Sequence, residues 1–285
     1  MKIVITGASG MLGSDLQKVL KEHELKCFNS KTLDITDENL VSDKLNKIKP
    51  DLVINSAAFT NVDDCETNYD IAYSVNALGP KNLAIACKNL NIPLLHISTD
   101  YVFDGKKTTP LKEDDELGPQ TAYGKTKLEG EIFIQETLEK YFIIRTAWLY
   151  GCNGNNFVKT MLKLSKSHNQ INVVNDQFGS PTYTYDLAVG ISEIIKTDKY
   201  GIYHLTNSDN CSWYDFTKKI FELSNINVNI NPVTTEQFPR PAKRPKYSVL
   251  SNEKWVNNGF KQLRSYKEAL KAYLLMLKSE NNENE

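Results

Sequence analysis

Short β-branched runs alternate with stretches of helical period over the first 150 residues, and that alternation limits the fold more than any other feature. Runs over 2–6, 25–29, 51–55, 93–98 and 141–146 read as strands; the stretches 11–22, 38–48, 72–90 and 123–140 are long enough for the helices between them. Strands that return parallel to a neighbour need crossovers of that length, so the order predicts a parallel sheet. Leu52-Val53-Ile54 and Phe142-Ile143-Ile144 are apolar on consecutive residues, as expected when helices cover both faces. The fold class is α/β, a doubly wound parallel sheet with a smaller C-terminal α/β lobe.

Beyond residue 150 the pattern loosens. A loop over 152–156 precedes a helix over 157–166, a strand over 171–174, a helix over 185–195 and a strand over 202–205. Ser212 suits an N-cap, with Asp215 at the third position of the helix that follows. The Pro-rich stretch 232–245 reads as a loop, 268–277 as an amphipathic helix and 281–285 as a frayed tail. This divides the chain into a dinucleotide-binding domain over 1–150, a mainly substrate-binding lobe over 151–280 with crossover of segments, and the tail.

Composition removes several function classes. In 285 residues, 34 Lys and Arg stand against 35 Asp and Glu, so no global positive field is available to attract nucleic acid or anionic lipid. No apolar run approaches a membrane span and no signal-peptide core follows Met1, which reads as a cytoplasmic protein. The five cysteines are widely spaced with no C-x-x-C, and the four histidines lack an i,i+4 pair; no disulfide framework and no catalytic metal are expected.

The turn after the first strand is Thr6-Gly7-Ala8-Ser9-Gly10-Met11-Leu12-Gly13. Glycines between a strand and a helix let backbone N–H groups approach a pyrophosphate at the positive helix end, the mark of a Rossmann-type dinucleotide site. The second strand ends Cys27-Phe28-Asn29-Ser30-Lys31 without the carboxylate that takes a ribose 2'-OH; Asn29 suits the plain ribose and Lys31 a 2'-phosphate, so NADPH and NADH both remain candidates. Tyr123 and Lys127 stand four apart on a helix and share a face, where the ammonium can stabilise a phenolate and let the phenol exchange a proton with a carbonyl oxygen. Ser98 and Thr99 close the fourth strand, at the sheet edge where ligands sit; either hydroxyl can hold that oxygen.

Together with Asn55-Ser56-Ala57-Ala58-Phe59-Thr60-Asn61-Val62-Asp63, Ser98-Thr99-Asp100-Tyr101-Val102-Phe103-Asp104-Gly105, Arg145-Thr146-Ala147-Trp148-Leu149-Tyr150-Gly151 and Arg244-Pro245, these motifs resemble the extended short-chain dehydrogenase/reductase superfamily. Within it they are similar to the dTDP-4-dehydrorhamnose reductase group over about residues 1–274. The resemblance implies NADPH- or NADH-dependent reduction of the 4-keto group of a nucleotide sugar, dTDP-4-dehydro-L-rhamnose to dTDP-L-rhamnose. It implies Thr99, Tyr123 and Lys127 as the catalytic set and Thr99, Asp100 and Trp148 as sugar-nucleotide contacts. Cofactor contacts would come from Gly7, Gly10, Met11, Leu12, Gly13, Asn29, Asp34, Ile35, Ala57, Ala58 and Phe59, with Tyr123 and Lys127. Asn76 would be structural and water-organising, 176–182 would wall the substrate side, and Arg244 has the charge for a diphosphate. Other sugar-nucleotide epimerases and reductases of the superfamily, and a non-catalytic cofactor-binding regulatory subunit, share these motifs. A homodimer is left open.

Overall fold

The computed structural model of the chain describes residues 1–282. Its first half runs β1 (Lys2–Thr6), α1 (Met11–Val19), β2 (Glu24–Phe28), α2 (Glu38–Ile48), β3 (Leu52–Asn55), α3 (Val62–Thr67), α4 (Tyr69–Tyr73), a π-helical turn (Ser74–Leu78), α5 (Gly79–Leu90), β4 (Leu94–Thr99), α6 (Ala122–Thr137) and β5 (Tyr141–Thr146). The second half adds β6 (Leu149–Tyr150), α7 (Phe157–Leu164), β7 (Gln170–Val174), β8 (Phe178–Gly179), β9 (Thr182–Tyr183), α8 (Thr184–Ile194), β10 (Gly201–His204), β11 (Cys211–Ser212), α9 (Trp213–Ser224), β12 (Asn229–Val233), α10 (Glu253–Asn257) and α11 (Tyr266–Asn282).

Six strands form the central sheet in the order β10-β5-β4-β3-β1-β2, every pair parallel. The chain leaves β1 for β2 on one side and for β3 on the other, which puts the switch point, and the crevice it opens, between β1 and β3. Consecutive apolar residues serve opposite faces. Ile3 and Ile5 pack with Leu16, Leu187 and Ile191 beneath α1 and α8, while Val4 packs with Val41, Leu45 and Leu83 beneath α2 and α5. A separate cluster around Tyr150, Val158, Phe216 and Tyr273 forms the core of the second half.

The strand and helix that the sequence assigns to the second part return to the first. β10 pairs with β5, and α8 lies on the same sheet face as α1. Two local readings change. The expected helix over 72–90 contains the π turn, and α3 and α4 precede it. The stretch 232–245 is not all loop, because Pro232 and Val233, opposite Val173 and Val174, complete β12; a proline without an N–H is tolerated in a two-stranded edge. Ser212 caps α9 as expected, its Oγ accepting from Asp215 N at 3.0 Å. Of the tail read over 281–285, residues 281 and 282 close α11 and 283–285 lie outside the described residues.

One buried ion pair ties α6 to the sheet. Arg145 of β5 donates from Nε and Nη2 to the two carboxylate oxygens of Glu131 at 3.0 and 2.7 Å, both residues being no more than 1% exposed. Ser98 of β4 donates to the same carboxylate. Arg145→Met leaves Glu131 buried and uncompensated and should cost about 3–5 kcal/mol. Urea unfolding of the variant checks this; adding Glu131→Leu to it should recover a large part of the loss.

Candidate active site

The glycine turn is sterically obligatory. Gly7 has φ +69°, and a Cβ there would stand 2.5 Å from Ala57 N; one on Gly13 would stand 2.3 Å from Gly7 O. Gly10 caps α1 without a side chain, so the amides of the first turn stay open toward a cleft of about 510 Å³ that residues 10–13 line. That arrangement fits a dinucleotide pyrophosphate. Ser56, Ala58 and Thr60, beyond β3, line the adjoining wall.

The opposite wall carries Thr99, Asp100, Tyr123 and Lys127. Thr99 ends β4, and its Oγ1 donates to Asp100 Oδ1 at 3.0 Å and accepts from Tyr101 N at 3.2 Å. Tyr123 lines the same cleft as Thr99; burial pushes its phenol up and the Thr99 hydroxyl opposes that. Ser98 gives its hydroxyl to the buried Glu131, whereas the bonds of Thr99 stay within its own turn at the cleft, which favours Thr99 of the two. One turn below Tyr123, Lys127 is 1% exposed and donates to Ile97 O at 2.6 Å. Burial pushes its ammonium down to about 8, against the pull of Glu131.

Asn76 lies inside the π turn and is fully buried. Its amide accepts from Phe59 N at 2.8 Å and donates to Phe59 O at 3.0 Å, which fixes the loop after β3, and donates to Thr126 Oγ1 of α6 at 3.2 Å. The bulge in the helix serves to aim this amide.

Trp148 follows β5 with φ +48°, a left-handed conformation rare for an aromatic residue. Its indole stacks on Trp213 at 3.4 Å and 4°. Trp213, Phe157 and Phe216 line the cleft and were not picked out from the sequence; the Ser212 cap locates Trp213 at a helix start but gives no sign of what it faces. Four of the five buried side-chain polar atoms without a partner among the described residues sit in or beside this cleft: Asp100 Oδ2, Thr146 Oγ1, Tyr150 Oη and Arg244 Nη1. Burial pushes the Asp100 carboxyl up to about 6. Arg244 pairs through Nη2 with Asp63 at 3.0 Å and lines a second cavity of about 710 Å³ that meets the cleft at Tyr101.

Not every expected contact lines the cleft. Asn29 accepts from Lys31 N and Asp34 from Thr36 N, each within its own turn beyond β2, and Ile35 is buried against Gly79. Gly7, Ala57 and Phe59 support the lining from behind. From the 176–182 wall, Asp176 and Phe178 line the second cavity, and Gly179 lies under the Trp148 indole. No group of His, Cys, Asp and Glu among the described residues could hold a metal ion.

A Tyr-x-x-x-Lys helix facing an uncapped glycine turn across the switch point of a doubly wound sheet is the construction of the extended short-chain dehydrogenase/reductases, and the chain is of that class. Within it the chain belongs to the family described as the RmlD substrate binding domain, which matches residues 1–279. It is 44% identical over 275 residues to the spore coat polysaccharide biosynthesis protein SpsK of Bacillus subtilis, covering 96% of each chain. A crystal structure of a dTDP-4-dehydrorhamnose reductase from Clostridium acetobutylicum superposes with a TM-score of 0.96 at 52% identity, over 98% of this chain and 100% of that one. A dTDP-4-dehydrorhamnose reductase from Bacillus anthracis, in complex with NADP, superposes at 0.94 with 44% identity, over 96% and 99%.

The indole stack depends on Gly179, where a Cβ would stand 2.4 Å from Trp148 Cε2. Gly179→Ala should therefore separate Trp148 from Trp213, and the tryptophan emission spectrum of the folded variant should change. Unaltered emission would show that the stack tolerates the methyl group.

Proposed function

We propose that this protein reduces the 4-keto group of a nucleotide sugar, dTDP-4-dehydro-L-rhamnose to dTDP-L-rhamnose, with NADPH or NADH. The observation that carries the reading is that Thr99, Tyr123 and Lys127 line the same cleft as the open first turn of α1. Residues 10–13 would bind the cofactor diphosphate, with residues 57–59 beside its middle, and a bound reduced nicotinamide supplies hydride to the sugar carbon. Thr99 holds the carbonyl oxygen and Tyr123 gives it the phenolic proton. Lys127, in its ammonium form, stabilises the phenolate that results. The unpartnered Asp100 Oδ2 and the Trp148 indole N–H suit sugar hydroxyls, and Arg244 Nη1 suits a diphosphate oxygen. A cytoplasmic location belongs to the same reading, supported by the buried thiols Cys65, Cys87 and Cys211 and by the lack, among the described residues, of any helix long and apolar enough to cross a membrane.

Absorbance of NADPH and NADH in the presence of dTDP- and UDP-linked 4-keto sugars tests the reading: oxidation should be stoichiometric with sugar reduced. An epimerase would interconvert sugars without net oxidation, and a regulatory subunit would do neither. Tyr123→Phe should lower turnover about 10²–10⁴-fold while cofactor binding, measured by calorimetry, survives. Retention of more than about a tenth of wild-type turnover would remove Tyr123 from the proton-donor role.

Cofactor preference should be small. Neither a carboxylate to repel a 2'-phosphate nor an arginine to clamp it stands at the end of β2, and the exposed Lys31 offers about 1 kcal/mol or less, under tenfold toward NADPH. A ratio of kcat/KM between the cofactors above about a hundredfold would place the ribose contact elsewhere.

A further inference from the structure

Three strands of the sheet set Thr6, Asn55 and His96 side by side. Thr6 is opposite Asn55 across β1 and β3, and Asn55 opposite His96 across β3 and β4. All three are buried. Asn55 Oδ1 accepts from Thr6 Oγ1 at 2.7 Å and from Ala57 N at 3.1 Å. Because a backbone N–H can only donate, that oxygen must face Ala57, and the amide nitrogen must face His96 Nδ1, which lies 3.0 Å away. An NH₂ group can only donate as well, so Nδ1 must carry a lone pair. A neutral imidazole then keeps its proton on Nε2, 3.0 Å from Lys127 Nζ. An ammonium has no lone pair to receive it; a neutral amine does, and can still donate to Ile97 O.

We propose that His96 is a positioning residue for the reduction: Asn55 locks its Nε2–H tautomer, and that N–H completes a hydrogen bond that only the neutral Lys127 amine can accept. The kinetic consequence rests on the reductase reading above. Protonating Lys127 forfeits this bond, so its proton is held less tightly than it would be beside an acceptor, and activity that needs the ammonium is lost at a lower pH. Burial and the Lys127 charge push His96 far below its ordinary range, which keeps the imidazole neutral. The other charged or titratable groups near this chain are Glu131 of α6, already held by Arg145 of β5 and Ser98 of β4, and Tyr123 and Asp100 toward the cleft. Glu131 favours the ammonium, so His96 and burial act against it.

Two measurements on the full chain test this. In the first, ¹⁵N-histidine NMR is recorded from pH 6 to 9. His23 and His168 reach solvent, whereas His96 and His204 are buried and should not titrate. His204 Nδ1 lies 3.1 Å from Leu111 O and must donate to it, so the two silent rings should show opposite tautomers: Nδ1–H for His204 and Nε2–H for His96. Two Nδ1–H rings would overturn the proposal. In the second, the pH profile of kcat/KM is compared between wild type and His96→Gln. A glutamine amide can turn its oxygen to the ammonium, so the alkaline limb should move up by about one pH unit or more, a tenfold change in proton affinity. A limb that stays in place in the folded variant would overturn the proposal; if the variant does not fold, the tautomer decides. Failure of every 4-keto nucleotide sugar to turn over would sink the reductase reading and the kinetic role together, whereas the tautomer measurement still decides the hydrogen bond itself.

Discussion

The site depends on a helix whose sheet-facing side is polar. Thr126, Lys127, Gly130 and Glu131 of α6 are buried alongside Ile134, so the helix is not docked by an apolar stripe alone. It is held by Lys127 on a β4 carbonyl, Glu131 between Arg145 and Ser98, Thr126 on Asn76, and two glycines that touch backbone directly: a Cβ on Gly124 would stand 2.2 Å from Tyr101 O and one on Gly130 2.3 Å from Asn76 O. Apolar packing tolerates small slips, whereas a set of buried polar contacts is satisfied in one position. Sliding or turning α6 would leave charges and amides unpaired, and so Tyr123 is delivered to Thr99 with little freedom.

Features set by neighbours in the chain were legible in the amino-acid order. The alternation of runs, the glycine turn, the Tyr123–Lys127 spacing and the Ser212 cap all appear in the structure where they were read. Features set by distant partners were not. The four-residue strand β10 carries no mark of which sheet edge it joins, and its return to β5 is decided by the open edge that β5 presents. The 72–90 stretch reads as an even helix because a π turn adds one residue without changing composition, although that residue is what aims Asn76. Asn29 is read as a ribose contact from its place after β2 and Asp34 as a cofactor contact from the resemblance; short polar side chains there also close turns on themselves, and both make such bonds in this chain. Arg145 opens one of the blocks that carry the resemblance; its side chain serves α6 and is not among the residues lining the cleft.

The cleft is also where the protein tolerates polar atoms it does not satisfy. A buried polar atom without a partner costs about 1–3 kcal/mol; three such atoms belong to residues lining the cleft, with the left-handed Trp148, and a fourth, on Arg244, to the adjoining cavity. Elsewhere the interior is paired with care, as the Asp15 carboxylate on Thr184 and the Asp186 carboxylate on Arg264 show. The contrast separates the surface meant for a ligand from the remainder of the fold more sharply than concavity does, since other hollows of similar size carry no such atoms on their walls.

The return of α8 and β10 to the first sheet bears on how such chains diversify. The polypeptide enters the second half after β5, comes back to add the last strand and to cover α1, and leaves again for α9. Residues 151–282 are therefore not a cassette: a graft at position 150 would carry off one strand of the nucleotide-binding sheet and half of the cover on one of its faces. New substrate preferences in this architecture have to arise by replacing side chains and loops around the cleft, such as those bearing Trp148, Trp213 and Arg244, with the path of the backbone left as it is.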